Sequence, residues 1–208
     1  MDPGLILAAA GLGAAFGVPL AGGTLARPRL KITPSPWVPA GPTRWTFATV
    51  QVSNKPLAGP LARFLTRQAA LRCLFDIDFF PWGTDVRVMS TVPGHWTNSQ
   101  ELIDSVPYSP ENIAAYRVGA RTTDRRYRDI PVGDTGEEVA VAVLNEEGAF
   151  AFSSTSYEHN AFGDPDLRLS RGTYRVVVHA RGSSVNHKRV FKLEYLSEKF
   201  DQFQLQEI

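Results

Sequence analysis

The sequence predicts a mainly β protein, an Ig-like β-sandwich of seven or eight strands that follows an N-terminal transmembrane helix. Three observations lead to this prediction. Short segments with period-two hydrophobicity recur along the chain, glycine and proline separate them, and residues 4–26 contain no charged side chain. Such alternation is typical of strands with one buried face. Several short strands with little helix between them are typical of a sandwich.

The first predicted element is the apolar run at the N-terminus. Residues 4–26 form 23 consecutive uncharged positions, which as a helix would cover about 30 Å, the thickness of a bilayer's hydrocarbon core. A signal peptide would need positive charge before the run, but the bases here follow it. A buried core helix would have a polar face. Although Pro19 would kink the helix, we predict a membrane anchor over residues 1–28.

The flanks of this run predict its orientation. Because lysine and arginine are enriched on the cytoplasmic side of membrane helices, Arg27, Arg29 and Lys31 mark the membrane interface and place the following domain inside the cell. Small residues also recur at every fourth position of the run, namely Ala9, Gly13, Gly17 and Ala21. Such a ladder lets two helices approach closely, so self-association is a hypothesis.

The strands are predicted from alternation, in chain order, at residues 29–33, 46–53, 69–80, 86–90, 138–144, 149–153, 172–180 and 188–196. They define a β-sandwich domain over residues 29–197. The inward side chains of the third predicted strand are Leu71, Cys73, Phe75, Ile77 and Phe79. The stretch "LSRGTY" before the seventh strand is common late in Ig-like sandwiches, where the tyrosine holds the preceding turn.

Helical signals are few. Residues 60–68 and 109–116 are expected to form short helices, since a proline or a serine stands where a helix could begin. The C-terminal tail, residues 198–208, is compatible with a helix or a strand.

The composition limits the classes of function. The chain has 208 residues, of which 43% are hydrophobic, and 22 basic residues stand against 21 acidic ones. The apolar fraction is sufficient for a packed core, and a net charge of +1 argues against a dedicated nucleic-acid binder. With Cys73 as the single cysteine, no intrachain disulfide can form, which favours a reducing compartment.

The charges are unevenly distributed along the chain. Residues 1–73 contain eight basic residues and one acidic residue, a formal charge of +7, while the remainder contains fourteen basic and twenty acidic residues, a charge of −6. Two interpretations are open. The basic part is either ordinary solvated surface or lies near anionic lipid headgroups, where each positive charge contributes about 1 kcal/mol.

Motifs for catalysis are absent from the sequence. It contains no GxSxG, HExxH, P-loop or CxxC motif, so we assign no catalytic, cofactor-binding or metal-binding residue. Asp76 and Asp78 form an Asp-x-Asp pattern on the outward side of a predicted strand. Because a divalent-cation site needs further oxygen donors, the pattern favours a solvated strand face. Cys73, between Leu71 and Phe75, favours a buried thiol.

Residues 121–128 concentrate four arginines: Arg121, Arg125, Arg126 and Arg128. Guanidinium groups bind phosphates and carboxylates in bidentate contacts, so the segment is a candidate site for an anion or an acidic partner. A polar loop, or an edge strand protected from pairing by its charges, is the other interpretation.

Several stretches resemble a group of uncharacterised archaeal and bacterial proteins with one N-terminal membrane helix and a β-sandwich domain. In order these are "RPRL", "VQVSN", "LTRQAALRCLFDIDF", "GHWTN" and "LSRGTYRVVVHA". The matching positions are Asn54, Arg67, Ala69 or Ala70, Cys73, Ile77 and Phe79. His95 stands where that group has an arginine before the tryptophan. The resemblance implies the architecture and brings no activity with it.

Together these features predict a non-enzymatic, membrane-tethered interaction or sensing module, an accessory subunit of a membrane protein assembly. Its partners would be membrane lipid and a protein or a second copy, with no nucleic acid and no cofactor. Three alternatives stay open. They are a pilin-like or surface structural protein, a hydrolase or transferase that uses Asp76 and Asp78, and a sensor whose arginine-rich segment binds a nucleotide or phosphorylated ligand.

Overall fold

A computed structural model describes residues 25–35, 45–63, 66–97, 127–133, 136–159, 162–197 and 199–208. Outside these ranges lie most of the predicted anchor, the helix expected at 109–116 and seven of the predicted site residues, which are Ala9, Gly13, Gly17, Ala21, Arg121, Arg125 and Arg126. Within the described ranges, no helix has both the length and the apolar character needed to cross a bilayer.

The fold is mainly β, as predicted. The described residues form twelve strands: β1 (Leu30–Pro34), β2 (Trp45–Asn54), β3 (Ala70–Pro81), β4 (Val92–Pro93), β5 (His95–Trp96), β6 (Arg128–Ile130), β7 (Glu137–Asn145), β8 (Gly148–Ala151), β9 (Arg168–Leu169), β10 (Gly172–Ser183), β11 (Val185–Tyr195) and β12 (Leu205–Glu207). Seven of the eight predicted segments match the seven longer strands. The five strands of two or three residues are too short for alternation to identify.

The strands pair into two antiparallel sheets. The first has the order β1-β2-β7-β8-β9, with β5 also beside β7, and the second has the order β12-β11-β10-β3-β4, with β6 also beside β3. Inward side chains of both sheets form one core, in which Val50 and Val139 come from the first sheet and Phe75 and Val176 from the second. β11 and β12 contact β1, so the two sheets meet along one side of the core.

Alternation identifies the inward face of most strands but fails at the start of β3. Leu71, predicted to point inward, is 46% exposed. The reason is a bulge. Arg72 adopts a φ of +50°, and the pairing with β10 shifts between Arg181 and Ser183. An extra residue in one strand changes the side on which the preceding side chains point. From Cys73 onward the prediction holds.

Strand β7 is buried on both faces, whereas its sequence predicted one exposed face. Every residue from Val139 to Asn145 is buried. A second apolar cluster covers the outer side of the first sheet and consists of Ala140, Val143, Phe150 and Phe152, with Trp45, Phe47 and Phe162 packed against them. The segment after β8 folds back over the sheet, because the ring of Phe162 lies 5.4 Å from that of Trp45.

Residues 86–90 form a loop, and the strand predicted there is wrong. Val86 is 74% exposed and Val88 is 38% exposed, so the alternating valines have no buried face to stabilise a strand. The loop is nevertheless held in place. The amide of Val88 donates to the carbonyl of Phe79 at 2.9 Å, and Arg175 Nη2 pairs with Asp85 Oδ1 at 2.6 Å. We call residues 81–90 the distal loop.

Two further segments from the sequence analysis are residues 60–68, where a short helix was expected, and the C-terminal tail, where a helix and a strand were both open. In place of a helix over 60–68, residues Pro60–Arg63 form one 3₁₀ turn, and Arg67 and Gln68 hydrogen-bond to the segment before β1 instead of continuing it. The C-terminal tail forms β12 on the edge of β11. Phe203 and Leu205 are 1% and 5% exposed, so the tail belongs to the folded domain.

Candidate functional site

The segment that precedes β1 is tied to one end of the two sheets by four hydrogen bonds. They are Gln68 N to Ala26 O (2.7 Å), Lys55 N to Arg29 O (3.0 Å), Arg67 Nη1 to Arg27 O (3.0 Å) and Arg29 N to Asn54 Oδ1 (3.0 Å). Three of the four involve Asn54, Arg67 or Gln68, which we call the clasp. The clasp fixes the direction in which the N-terminal chain enters the domain.

Asn54 is the centre of the clasp. Its side chain is fully buried, and its Nδ2 donates to the carbonyls of Gln68 at 2.8 Å and Ile130 at 3.4 Å while Oδ1 accepts from Arg29. Buried amides of this kind need such partners, because an unpaired polar group in the interior is costly. One side chain therefore joins the chain before β1, the connection to β3, and β6.

The clasp contains two positions that were singled out in the sequence analysis. Asn54 and Arg67 are clasp residues, and Cys73 lies in the adjoining start of β3, where its thiol donates to the carbonyl of Ala70 at 3.6 Å. Sequence reasoning did not identify the clasp, because the partners of Asn54 stand 14, 25 and 76 residues away along the chain. An asparagine at the end of an apolar strand was the one available signal.

Seven cations lie around the clasp, at what we call the basic end. They are Arg27, Arg29, Lys31, Lys55, Arg63, Arg67 and Arg72. The predicted interface residues Arg27, Arg29 and Lys31 are all exposed and belong to this group. Across residues 25–31, 54–63, 66–72 and 127–133 the structure places eight cations, with Arg128 as the eighth, and one anion, Asp129. Oδ1 of Asp129 already accepts a bond of 2.7 Å from the amide of Arg72.

Apolar side chains are interleaved with these cations. Leu25, Leu71, Tyr127 and Val132 are 38%, 46%, 39% and 37% exposed. The guanidinium of Arg72 lies 4.9 Å from the ring centroid of Tyr127. A surface that presents cations beside exposed apolar and aromatic groups is suited to the headgroup region of a membrane.

The opposite end of the sheets exposes the apolar side chains of the distal loop. Since β3 runs from the basic end to the distal loop, twelve residues of strand separate the two ends by roughly 35 Å. The distal loop exposes 49% of Trp82 as well as Val86 and Val88. The amide of Trp82 donates to the carbonyl of Thr173 at 2.9 Å, which holds the backbone beneath this apolar surface.

Arg128 is the one arginine of the predicted anion-binding segment among the described residues. Its Nη1 forms an ion pair with Glu137 Oε2 at 2.8 Å, and its guanidinium lies 5.8 Å from the ring centroid of Trp96. Arg128 belongs to β6, which pairs with β3.

The two aspartates of the Asp-x-Asp pattern are engaged separately. Asp76 pairs with Arg181, whereas Asp78 accepts a bond of 2.6 Å from the hydroxyl of Thr91 and lies 3.4 Å from Arg87 Nη1. In the described part of the chain, no three His, Cys, Asp or Glu side chains are grouped as metal ligands would be.

Cys73 is buried, as its sequence context predicted, with no exposed surface. Burial raises the pKa of its thiol to about 11, and the charge of Asp129 contributes further. The thiolate is the reactive form. We therefore expect the native protein to react with a disulfide reagent at pH 8 at least 100-fold more slowly than the urea-unfolded protein.

The matched control for this experiment is an Ala58→Cys variant, because position 58 is exposed. It should show one fast and one slow thiol under the same conditions. Native Cys73 should also stay slow up to pH 9, since its folded pKa exceeds the ordinary value of 9.0. Rapid modification of the wild type under native conditions would contradict the burial of this thiol.

Comparisons with protein-family models, with curated proteins and with solved structures found no significant match to the chain.

Proposed function

We propose that this protein is a membrane-tethered, non-enzymatic β-sandwich that serves as an interaction or sensing module and as an accessory subunit of a membrane protein assembly. Residues 1–28 would form the tether, and the domain would face the cytoplasm. The observation that best supports this proposal is the difference between the two ends of the domain. The chain enters at a basic end, and an ordered loop with exposed apolar side chains lies at the other end.

We further assign the two sheets to the Ig-like class. Strands β1, β2 and β7 are neighbours in one sheet, and β3, β10 and β11 are neighbours in the other. This is the arrangement of strands A, B and E against C, F and G in Ig-like sandwiches. The hydroxyl of Tyr174 donates to the carbonyl of Ser170 at 2.5 Å, as in the tyrosine corner of that class.

The distal loop is the surface that we assign to a protein partner. Exposed apolar groups gathered on an ordered backbone are typical of protein interaction sites, and tryptophan is the residue most enriched among those that dominate binding energies. Trp82 is half exposed, and Lys192 Nζ lies 5.8 Å from its ring centroid. The side chain is thus oriented without being buried.

Purification of the tagged full-length chain from detergent extracts tests this assignment. Trp82→Ala should reduce the amount of a specifically bound membrane protein at least tenfold. Ile208→Ala is the matched control, because Ile208 is 64% exposed and lies outside the distal loop. A bound protein that is retained equally by both variants, or the absence of any bound protein, would contradict the proposal.

A topology measurement separates this function from the pilin-like or surface alternative. Protease added outside intact spheroplasts should leave the domain uncut, and protease added after lysis should cleave it. Cleavage from outside would place the domain on the other side of the membrane and would favour a surface structural protein.

A further inference from the structure

We infer that the basic end docks directly on the anionic phospholipid headgroups of the membrane, so that the domain is held at a fixed angle on the bilayer surface. The inference rests on the proposed tether and adds a second, electrostatic attachment to it. The occupant is an anionic lipid surface, which the charge, position and chain path at the basic end all favour.

The path of the chain leaves no linker between the apolar run and the domain. The uncharged run ends at Ala26, and the carbonyl of Ala26 already accepts a hydrogen bond from the amide of Gln68. The next residue, Arg27, is tied to the side chain of Arg67. A run that spans the bilayer up to Ala26 would therefore bring the clasp itself to the headgroup level.

The charges at this end complement an anionic surface. The basic end has seven cations. The neighbouring Arg128 is already paired with Glu137, and the Asp129 carboxylate accepts a hydrogen bond from the Arg72 amide. Cations within about 10 Å of the headgroups interact with them before salt screens the field. The distal loop and the turn between β7 and β8 differ in this respect, since residues 81–90 and 146–147 contain three acids and one base.

The exposed apolar side chains of the basic end fit the same surface. Leu71 points outward because of the bulge at Arg72, and Tyr127 lies beside the Arg72 guanidinium. Cations can pair with phosphates while apolar and aromatic groups enter the interface. The bulge thus places an apolar side chain among the cations.

The test uses the full-length chain in nanodiscs with or without phosphatidylglycerol. A fluorophore is placed at position 58 through Ala58→Cys, and at position 147 through Glu147→Cys as a distal probe. A nitroxide on the lipid headgroup quenches nearby fluorophores. Quenching at position 58 should rise in anionic discs and fall in about 1 M salt, where the screening length is about 3 Å. Quenching at position 147 should stay low throughout.

Charge-neutralising variants give the decisive comparison. Lys31→Gln with Arg63→Gln removes two exposed cations of the basic end, and it should weaken docking by about 30-fold when anionic lipid is titrated. Arg171→Gln with Lys199→Gln removes two exposed cations at the opposite end of the sheets, where β10 begins and β11 ends, and should leave docking unchanged. Equal weakening by both pairs, or quenching that is indifferent to lipid charge, would overturn the inference.

Two controls separate this inference from the tether and from a soluble ligand. If alkaline carbonate extracts the chain from neutral vesicles, residues 1–28 do not anchor it in the bilayer. The docking inference can then still be tested by quenching on phosphatidylglycerol vesicles. Inorganic phosphate at matched ionic strength should compete no better than chloride. Competition specific to phosphate would identify a site for a free anion and overturn the lipid assignment.

Discussion

Asn54→Ala should lower the free energy of unfolding by about 4 kcal/mol. The substitution removes the partners of the Arg29 amide and of the Gln68 and Ile130 carbonyls, all of which the Asn54 side chain satisfies from a fully buried position. A buried polar group left without a partner costs about 1–3 kcal/mol. Urea unfolding of the full-length chain in detergent, followed by tryptophan fluorescence, measures the change.

Asn186→Ala is the matched control for the clasp. Asn186 is exposed, and its Oδ1 lies 2.7 Å from His179 Nε2, so its loss should cost less than about 1 kcal/mol. The Asn54 variant should also lose hydrogen-exchange protection at the Arg29 amide, which a general loss of packing would not single out. Similar unfolding curves for the two variants would mean that the clasp contributes little.

Phe75→Ala should lower the free energy of unfolding by about 3–5 kcal/mol. Phe75 is 2% exposed in the shared core, and its ring lies 5.0 Å from that of Trp96 in an edge-to-face contact. The truncation leaves a cavity between the two sheets, because the surrounding side chains relax only partially. The same urea experiment, with near-ultraviolet circular dichroism as a second signal for the Trp96 environment, measures the effect.

Phe80→Ala in the same strand is the control for that prediction. Phe80 points to the outer face of β3, where the guanidinium of Arg175 lies 4.3 Å from its ring centroid, and its truncation should cost about 1 kcal/mol. The contrast between the two variants tests which face of β3 is inside. Equal losses of stability would contradict the inward and outward faces of this strand.

The effects of the clasp on stability and of the basic residues on lipid docking can be measured separately. Asn54 acts on the fold, through buried bonds that are insensitive to salt. Lys31 and Arg63 are exposed, so their neutralisation should leave the unfolding curve unchanged while it weakens docking. A variant that loses stability and docking together would therefore indicate damage to the clasp rather than loss of a headgroup contact.

The sequence by itself determined the mainly β class and the location of the longer strands, because side-chain alternation is a local property of the chain. The inward faces of β10 and β11 follow from the same pattern, with Val176, Phe191 and Leu193 buried as predicted. The uneven distribution of charge was also visible, since the seven cations of the basic end all lie within residues 27–72.

Only the tertiary structure decided what depends on contacts between distant residues. The valines at 86 and 88 alternate as a strand would, but both are exposed and none of the described elements covers one of their faces, so they remain in a loop. β7 lost its exposed face because an aromatic cluster packs on it. The clasp joins residues up to 76 positions apart. A local pattern shows which side chains can be buried, but the packing partner determines which of them are, because burial and hydrogen bonding are properties of pairs.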